Sequence, residues 1–394
     1  MNRKFVSVKS LCAARNHPYH ELCYDEAHSG VVHKKIGSVD FWDIRTPYIY
    51  CGLVEDVHIF GRTFLHSMDD TVVFHCQSYQ NHEMQGVEEC IAAFVDARRP
   101  DLFKTYVEEE CIFLGGTWTE PTAQGLSHEV YGHNFGHFIF EYLNRLAIFD
   151  LYGLTRKLPV VIYDCLPERW IEFIELMGIP KERLIRVPIV NSPAYRKVWV
   201  SSSCHYRDSM GKFRFWGGGL HWLRFRLLSA IGGPRVHERR RLYLGREGAR
   251  WRKVVNEDAV KQLLAQYGFE FLPMGEMSAR AQLEAISGAE LVVSTAGAGS
   301  ILLHFAPEHC INILLAPRGV GTGPLGGLAG AVVLRQVFDR IDCASADVQQ
   351  TERLNSGGAN ELADFKVDLT LLQAKVEAAL QLISSFQLRD ALKL

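Results

Sequence analysis

The second half of the chain alternates short apolar runs with stretches whose apolar residues recur at helical spacing. The apolar runs predict strands at 241–244, 269–272, 291–294 and 311–315. The periodic stretches between them predict helices at 256–267 and 278–287. Strands that alternate with helices in this way are typical of a parallel α/β layer.

The first half is less regular, although the same alternation begins before residue 205. Apolar runs predict strands at 47–54, 57–60, 71–74, 159–163 and 197–201. A long periodic stretch predicts a helix over 132–154 that ends near Gly153, and a second helix over 168–176 that stops at Gly178. A basic, aromatic segment follows at 207–224.

The Gly232-Gly233-Pro234 break separates the two patterns and predicts a domain boundary. We therefore expect an α/β protein with domains at 1–232 and 233–345, followed by a helical tail at 346–394. The arrangement we expect is two α/β domains that face each other across a cleft.

Composition narrows the class of protein. A formal net charge of −2 argues against nucleic acid as a partner, and no segment approaches the ~18–20 apolar residues of a membrane span. The N-terminal residues lack the apolar core of a signal peptide. Ten cysteines are scattered without a Cys-x-x-Cys pair, which favours reduced thiols and a cytoplasmic location.

A turn of small residues, Ala296-Gly297-Ala298-Gly299, follows the predicted strand at 291–294. Such a turn leaves backbone N–H groups unpaired at the positive end of a helix dipole, which suits a phosphate or pyrophosphate. Glycine lets the backbone approach a ligand closely. The alternative is an ordinary βα turn.

Three separated motifs together resemble glycosyltransferase family 61. The first is Asn134-Phe-Gly-His137, followed by Glu141 and by Arg145-Leu146. The second is the run from Arg241 to Arg246, followed by Arg252-Lys-Val-Val-Asn256-Glu257. The third is Gly268-Phe-Glu, followed by Gln282, Ala289 and Gly297-Ala-Gly299. They cover about 125–317 in the order of the family.

This resemblance implies a GT-B-like fold of two Rossmann-like domains and an inverting reaction. It also implies a nucleotide-sugar donor, expected to be UDP-linked, held mainly by the C-terminal domain, with the acceptor on the N-terminal side. Bacterial members of this kind are associated with capsular and lipopolysaccharide sugars, so the implied acceptor is a glycan or a lipid-linked glycan. Peripheral contact with a membrane is compatible with that acceptor.

Two positions depart from the family pattern. Ala296 stands where a histidine is usual before Gly-Ala-Gly, and Leu314 stands near the place of a frequent acid. A catalytically silent protein that binds nucleotide or carbohydrate on the same scaffold therefore stays open as an alternative.

For catalysis, the resemblance and the helical spacing single out Glu141 and His137. Residues four apart share one face of a helix, so the two side chains can hydrogen-bond or flank one site. An inverting transfer needs a base for the acceptor hydroxyl, and we place Glu141 ahead of His137 in that role. Without the resemblance, His137 reads as an ordinary core histidine.

For the donor phosphates, the resemblance singles out Arg246, and Arg252 after it, because the planar guanidinium suits phosphate oxygens. Arg250 is a further candidate. The turn residues Gly297, Ala298, Gly299 and Ser300 complete the expected phosphate site. Three polar residues are expected to support it: Asn134, Asn256 and Thr295.

The chain lacks an Asp-x-Asp pair, so we expect a metal-independent reaction with no cofactor besides the donor. His133 and His137 are spaced to clasp a metal, but no third ligand can be named. Residues 321–326 match Gly-x-Gly-x-x-Gly, yet Pro324 spoils the turn into a helix, and no ribose-binding acid follows.

Overall fold

A computed structural model gives the fold. It describes residues 4–22, 35–36, 39–40, 49–60, 64–67, 71–74, 104–115, 120–122, 125–127, 135–188, 193–202, 204–207, 213–246, 248, 252–317, 336–346 and 363–392.

The chain divides into two compact units. Unit 1 contains Met1–Val32 and Trp42–Arg226, and unit 2 contains His33–Phe41 and Leu227–Leu394. The division falls six residues before the predicted boundary at 232/233, inside a helix that the sequence pattern did not indicate. We describe the units separately.

The strands of the described residues follow one another along the chain as β1 Lys4–Ser7, β2 Tyr19–Leu22, β3 Lys35–Ile36, β4 Val39–Asp40, β5 Ile49–Phe60, β6 Phe64–Ser67, β7 Thr71–Phe74, β8 Tyr106–Val107, β9 Cys111–Gly115, β10 Glu120–Thr122, β11 Gly125–Ser127, β12 Val160–Tyr163, β13 Leu184–Val187, β14 Ala194–Ser201, β15 His205–Arg207, β16 Phe213–Phe215, β17 Arg240–Leu244, β18 Glu270–Phe271, β19 Ala289–Thr295, β20 Ile311–Pro317, β21 Val337–Ser345 and β22 Phe365–Lys366.

The helices are α1 Val8–Arg15, α2 Phe135–His137, α3 Asn144–Leu151, α4 Glu168–Leu176, α5 Gly217–Ala230, α6 Glu257–Ala265, α7 Ala279–Ser287 and α8 Leu369–Leu392, with a π-helical segment at Phe138–Leu143 and 3₁₀ turns at Leu154–Arg156, Lys181–Arg183, Val236–Glu238 and Ala298–Phe305.

Unit 1 is built on a mixed sheet in the order β1–β7–β6–β5–β14–β9–β12–β13. The strands β9, β12 and β13 pair in parallel, as the alternation of strands and helices predicts. The strands β5, β6 and β7 instead pair antiparallel, since the connections between them are too short for a crossover helix. The predicted strands at 47–54 and 57–60 form one continuous strand, β5.

One face of this sheet carries the main described core of unit 1. Helix α1 covers it with Val8, Leu11 and Cys12, which pack with residues of β5, β9 and β14. The helix begins at Val8 because the Ser7 Oγ accepts a hydrogen bond from the Ser10 N–H at 3.1 Å. It ends at Asn16, whose φ of 52° is the left-handed conformation common after a helix.

Unit 2 is built on an open sheet in the order β18–β17–β19–β20–β21–β22, in which only the β21–β22 pair is antiparallel. The five parallel strands lie in the order β18–β17–β19–β20–β21. If β17 is counted as strand 1 and β21 as strand 5, this order is 2-1-3-4-5, which is known from doubly wound α/β domains. The predicted strands and helices of this region are confirmed to within a few residues at their ends.

The core of unit 2 includes the C-terminal helix. Helix α6 contributes Val260 and Leu264, and α8 contributes Leu372, Val376 and Ile383, to a cluster with β19, β20 and β21. The long helix predicted in the tail is therefore present, and it packs on the sheet of unit 2. The protein is thus of the mixed α/β class that the sequence predicts, with two large sheets.

Candidate functional site

The predicted catalytic residues lie together in unit 1, on the continuous helical stretch that runs from α2 through the π-helical segment to α3. His137 and Glu141 are both buried, with 9% and 3% of their surfaces exposed. The His137 Nδ1 and a Glu141 carboxylate oxygen lie 2.7 Å apart, and with a proton on Nδ1 the imidazole donates to the carboxylate. Of the two arrangements that the sequence allowed, a hydrogen bond between the side chains or two groups flanking one site, the structure shows the hydrogen bond.

The helix is π-helical between α2 and α3, over Phe138–Leu143, and every side chain of this segment is buried. Such π-helical insertions are often found at functional sites. Phe138 stacks on Trp170 of α4, with ring centroids 5.2 Å apart, which fixes the segment against its neighbour. A carboxylate is costly to bury unless it is paired, and the His137 imidazole provides that pairing.

Arg145, the arginine of the first motif, is also buried, with 1% of its surface exposed. Its guanidinium carbon lies 5.4 Å from the centre of the Tyr142 ring, one turn before it. The described part of the first motif therefore lies inside unit 1, where it places charged groups among buried apolar side chains.

The predicted phosphate site lies in unit 2, where the strand order reverses. Arg246 follows β17 and Gly297 follows β19, and these two strands pair in parallel with Leu244 opposite Ser294. In doubly wound sheets, ligands bind beyond the carboxyl ends of the strands at this reversal. The strand order therefore brings Arg246 and the glycine turn to the position where that rule expects a ligand.

Arg246 lies directly on the turn. Its Nη1 donates to the Ala296 carbonyl at 3.2 Å. A Cβ at Gly297 would overlap this nitrogen, so the arginine requires glycine at that position. The backbone of Gly297 is extended, with φ of 172°, so space explains this glycine and conformation does not.

The charge at this site is positive and partly desolvated. Burial and the positive charge of Arg252 lower the pKa of Arg246 to about 10, so the residue stays protonated at neutral pH. Arg252 itself has φ of 59°, a left-handed backbone that is uncommon for a residue with a side chain. Two guanidiniums that repel each other are stabilised by an anion between or beside them.

The remaining turn residues hold the backbone in place. The Thr295 hydroxyl donates to the Leu244 carbonyl at 3.1 Å, and the Ser300 hydroxyl donates to the Gly297 carbonyl at 2.7 Å. Ala298 and Gly299 open a 3₁₀ segment, where the sequence pattern favours an α-helix, and Gly299 is exposed. The hydroxyls of Thr295 and Ser300 are thus used within the protein, as donors to backbone carbonyls.

Asn256 has a structural contact. Its amide nitrogen donates to the Val367 carbonyl at 2.9 Å, and its amide oxygen accepts from the Val367 N–H at 3.0 Å. It therefore fastens the C-terminal segment to the start of α6.

The next residue, Glu257, is one that the sequence analysis did not single out. Tyr243 Oη donates to its carboxylate at 3.0 Å, and a Cβ at Gly245 would overlap the same oxygen. Glu257 thus lies beside the backbone that leads from β17 to Arg246. Its signal in the sequence was the Asn256-Glu257 pair of the second motif, of which only the asparagine was selected.

Asn134, His133 and Arg250 lie outside the described residues, so their predicted roles stay predictions. Within the described ranges, no group of three or more histidine, cysteine, aspartate or glutamate side chains is arranged to hold a metal ion. In the same ranges, no helix is long and apolar enough to cross a membrane.

Comparison with known proteins identifies the family. The search of curated proteins gave no match to this chain. The sequence profile of the family described as Glycosyltransferase 61 matches residues 135–313, a range that includes His137, Glu141, Arg246 and the glycine turn. The resemblance indicated by the three motifs is confirmed: residues 135–313 match the model of the glycosyltransferase 61 family.

Proposed function

We propose that the protein is an inverting glycosyltransferase that moves a sugar from a nucleotide-sugar donor, expected to be UDP-linked, to a glycan acceptor. The observation that carries the proposal is the meeting of Arg246 with the Gly297 turn at the strand reversal of unit 2. A diphosphate leaving group needs positive charge and backbone N–H donors, and this turn offers both.

In this proposal Glu141 is the base. An inverting transfer is a direct displacement at the anomeric carbon, so the acceptor hydroxyl must lose a proton as it attacks. The Glu141 carboxylate takes that proton, and His137, at 2.7 Å, holds the carboxylate in one orientation. Arg246, with Arg252 as second candidate, neutralises the diphosphate as the bond to the sugar breaks.

The resemblance supplies further parts of the proposal. It implies a GT-B-like pair of Rossmann-like domains, an acceptor that is a glycan or lipid-linked glycan, and a role in surface polysaccharide synthesis. A cytoplasmic location is proposed from the cysteines, since those in the described residues are free thiols. All of these stay predictions.

A catalytically silent protein is the second candidate, because Ala296 stands where the family usually has a histidine. Ala296 is 7% exposed and gives its carbonyl to Arg246. The test is to incubate the protein with UDP-, GDP- and CMP-sugars and to follow release of the free nucleotide. Thermal shifts with the three nucleotides run beside it. If the protein binds a nucleotide but releases none from the nucleotide sugars with any acceptor tested, the silent alternative is favoured. Release of the free nucleotide together with transfer of the sugar would establish the transferase.

The glycine turn can be tested without substituting Arg246 itself. Gly297→Ala is expected to weaken binding of the nucleoside diphosphate about tenfold or more, because the new Cβ displaces the Arg246 guanidinium from the turn. The side chain that must move is flexible, so the melting temperature should change little. Titration calorimetry measures both variant and parent.

The matched control is Gly275→Ala, where an added Cβ meets no atom within 4 Å. It should bind nucleotide as the parent does. Equal affinity of the Gly297→Ala variant and the parent would show that the placement of Arg246 on the turn is irrelevant to the donor.

Metal independence gives a second test. The sequence lacks the paired aspartates that hold a divalent ion against a sugar nucleotide, so transfer activity is expected to survive incubation with EDTA. The rate is compared before and after chelation and after re-addition of Mg²⁺ or Mn²⁺. If chelation abolishes transfer activity and Mg²⁺ or Mn²⁺ restores it, this part of the proposal is wrong.

A further inference from the structure

Asn144, the first residue of α3, is a buried polar side chain. None of its surface is exposed, and among the residues that the structure describes neither its amide nitrogen nor its amide oxygen has a hydrogen-bond partner. Buried amides are almost always hydrogen-bonded, because the bonds to water lost on burial must be replaced. In Asn256, by contrast, both the amide nitrogen and the amide oxygen are hydrogen-bonded to Val367. An unused amide is a reason to look for a ligand.

The Asn144 side chain lies against the first turn of helix α5. A Cβ at Gly219 would overlap the Asn144 amide oxygen, so the side chain lies directly against that turn. The same Cβ would lie 2.5 Å from a ring carbon of Trp216, the residue that precedes the helix. On the neighbouring stretch of the two helices, Trp222 Nε1 donates to the Asp150 carboxylate at 2.9 Å, which fixes α5 against α3.

The first turn of α5 is unusual in its residues. It consists of Gly217, Gly218 and Gly219, and it contains no acidic side chain. The residue before it is Trp216, whose indole has a donor and no acceptor, so it cannot cap the helix as serine or aspartate would. The N–H groups of the three glycines have no partner among the described residues outside the helix.

These groups all favour the same kind of ligand. Uncapped N–H groups at the start of a helix carry partial positive charge and bind oxyanions. The Asn144 amide adds one more donor when its side chain turns from Gly219 toward the entering group. Since Gly218 is exposed, the turn is open to solvent on that side.

The position relative to Glu141 suggests which molecule carries the anion. Asn144 follows Glu141 by three residues on one continuous helical stretch, so the two residues lie within one turn of each other, about 5 Å along the axis. That distance is roughly the width of one sugar ring. A single acceptor residue can therefore place a hydroxyl at Glu141 and an acidic group at Asn144.

We propose that Asn144 and the Gly217–Gly219 turn form a subsite for an oxyanion of the acceptor, either the carboxylate of an acidic sugar or a phosphate. The inference rests on the proposed transferase function only for the identity of the molecule that carries the anion. Recognition of the oxyanion itself depends on unit 1 alone.

The test uses the full chain labelled with ¹⁵N-glycine, and no nucleotide is added. Sodium glucuronate, inorganic phosphate and glucose are titrated at matched ionic strength, and the amide signals of Gly217, Gly218 and Gly219 are followed by NMR. Saturable shifts with glucuronate or phosphate, and none with glucose, are expected. A response to glucuronate alone identifies a carboxylate, and a response to phosphate alone identifies a phosphorylated acceptor. Equal shifts with glucose, or no shift with either anion, would overturn the proposal.

Two variants test the named groups. Asn144→Leu keeps the approximate volume and loses the amide, so the dissociation constant of the anion should rise tenfold or more. Gly217→Pro removes one N–H donor at a helix position that tolerates proline, and the signals of Gly218 and Gly219 should show the same weakening. Unchanged affinity in both variants would refute the subsite.

Stability separates this role from a merely structural one. Asn144→Leu should not lower the melting temperature, because the amide makes no hydrogen bond that could be lost. Asn256→Leu, by contrast, loses two backbone hydrogen bonds and should melt earlier. A melting temperature that falls equally in both variants would count against the proposal. If nucleotide binding and sugar transfer are absent while the glycine signals still respond to the anion, the proposed function fails and the oxyanion subsite remains.

Discussion

Glu141→Gln is expected to lower the turnover of sugar transfer by about 10²–10⁴-fold, the usual contribution of a general base. Glutamine keeps the shape of the side chain and its place beside His137, but it cannot take a proton from the acceptor. The affinity for the nucleotide should barely change, because the donor is expected on unit 2. Turnover is measured with a saturating donor, and nucleotide affinity is measured separately by calorimetry.

A matched control is Glu110→Gln in the same unit. Glu110 accepts a hydrogen bond from Trp199 Nε1 at 2.8 Å, so it is another carboxylate with a side-chain partner and no proposed role in catalysis. Its loss should leave turnover unchanged. A Glu141→Gln, His137→Ala double variant that transfers sugar at the parent rate would eliminate the pair as catalytic groups.

Arg246→Ala is expected to weaken binding of the nucleoside diphosphate by about 1.5–3 kcal/mol, the scale of a hydrogen bond to a charged group. This corresponds to roughly a 10- to 150-fold higher dissociation constant. The expectation follows from the protonated guanidinium that lies on the Gly297 turn, with the charge of Arg252 acting on it. Calorimetric titration with UDP is the direct measurement.

Arg241→Ala is a suitable control, since it removes a guanidinium from the same basic stretch. Arg241 donates to Glu290 at 3.1 Å and to the Tyr267 carbonyl at 2.8 Å, so its charge is already paired inside unit 2. Nucleotide affinity should stay close to that of the parent. If the two alanine variants bind UDP equally well, Arg246 does not belong to the donor site.

The secondary structure of unit 2 was the most readable part of the sequence. Each of the strands predicted there contains a compact apolar run, and each helix between them is periodic, so the information for one element lies within a few residues. The strand β21 carries Asp339, Arg340 and Asp342 and was not predicted. In unit 1, helix α4 was also predicted with its observed bounds, and Gly178, with φ of 87°, lies just beyond its end.

Other elements could not be read in this way. Helix α5 begins with three glycines and has apolar and aromatic residues on all sides, so it shows little helical periodicity, and the sequence pattern did not indicate it. Helix α1 depends on the Ser7 cap and on burial against β5. The antiparallel pairing of β5, β6 and β7 depends on contacts between strands, which apolar runs alone do not encode.

The sequence by itself determined the α/β class, most elements of unit 2, the match of residues 135–313 to glycosyltransferase family 61 and the placement of His137 and Glu141 one helical turn apart. These depend on local patterns, since a spacing of four residues on a helix brings two side chains together without help from the rest of the chain. The tertiary structure alone decided that Arg246 lies on the glycine turn, because the arginine and Ala296 are 50 residues apart and meet only through the pairing of β17 with β19. It also decided that Asn256 fastens the C-terminal segment and that Asn144, against the start of α5, has no hydrogen-bond partner in the part of the chain that the structure describes. Contacts of this kind depend on which strands and helices become neighbours, and that is set by packing the whole core.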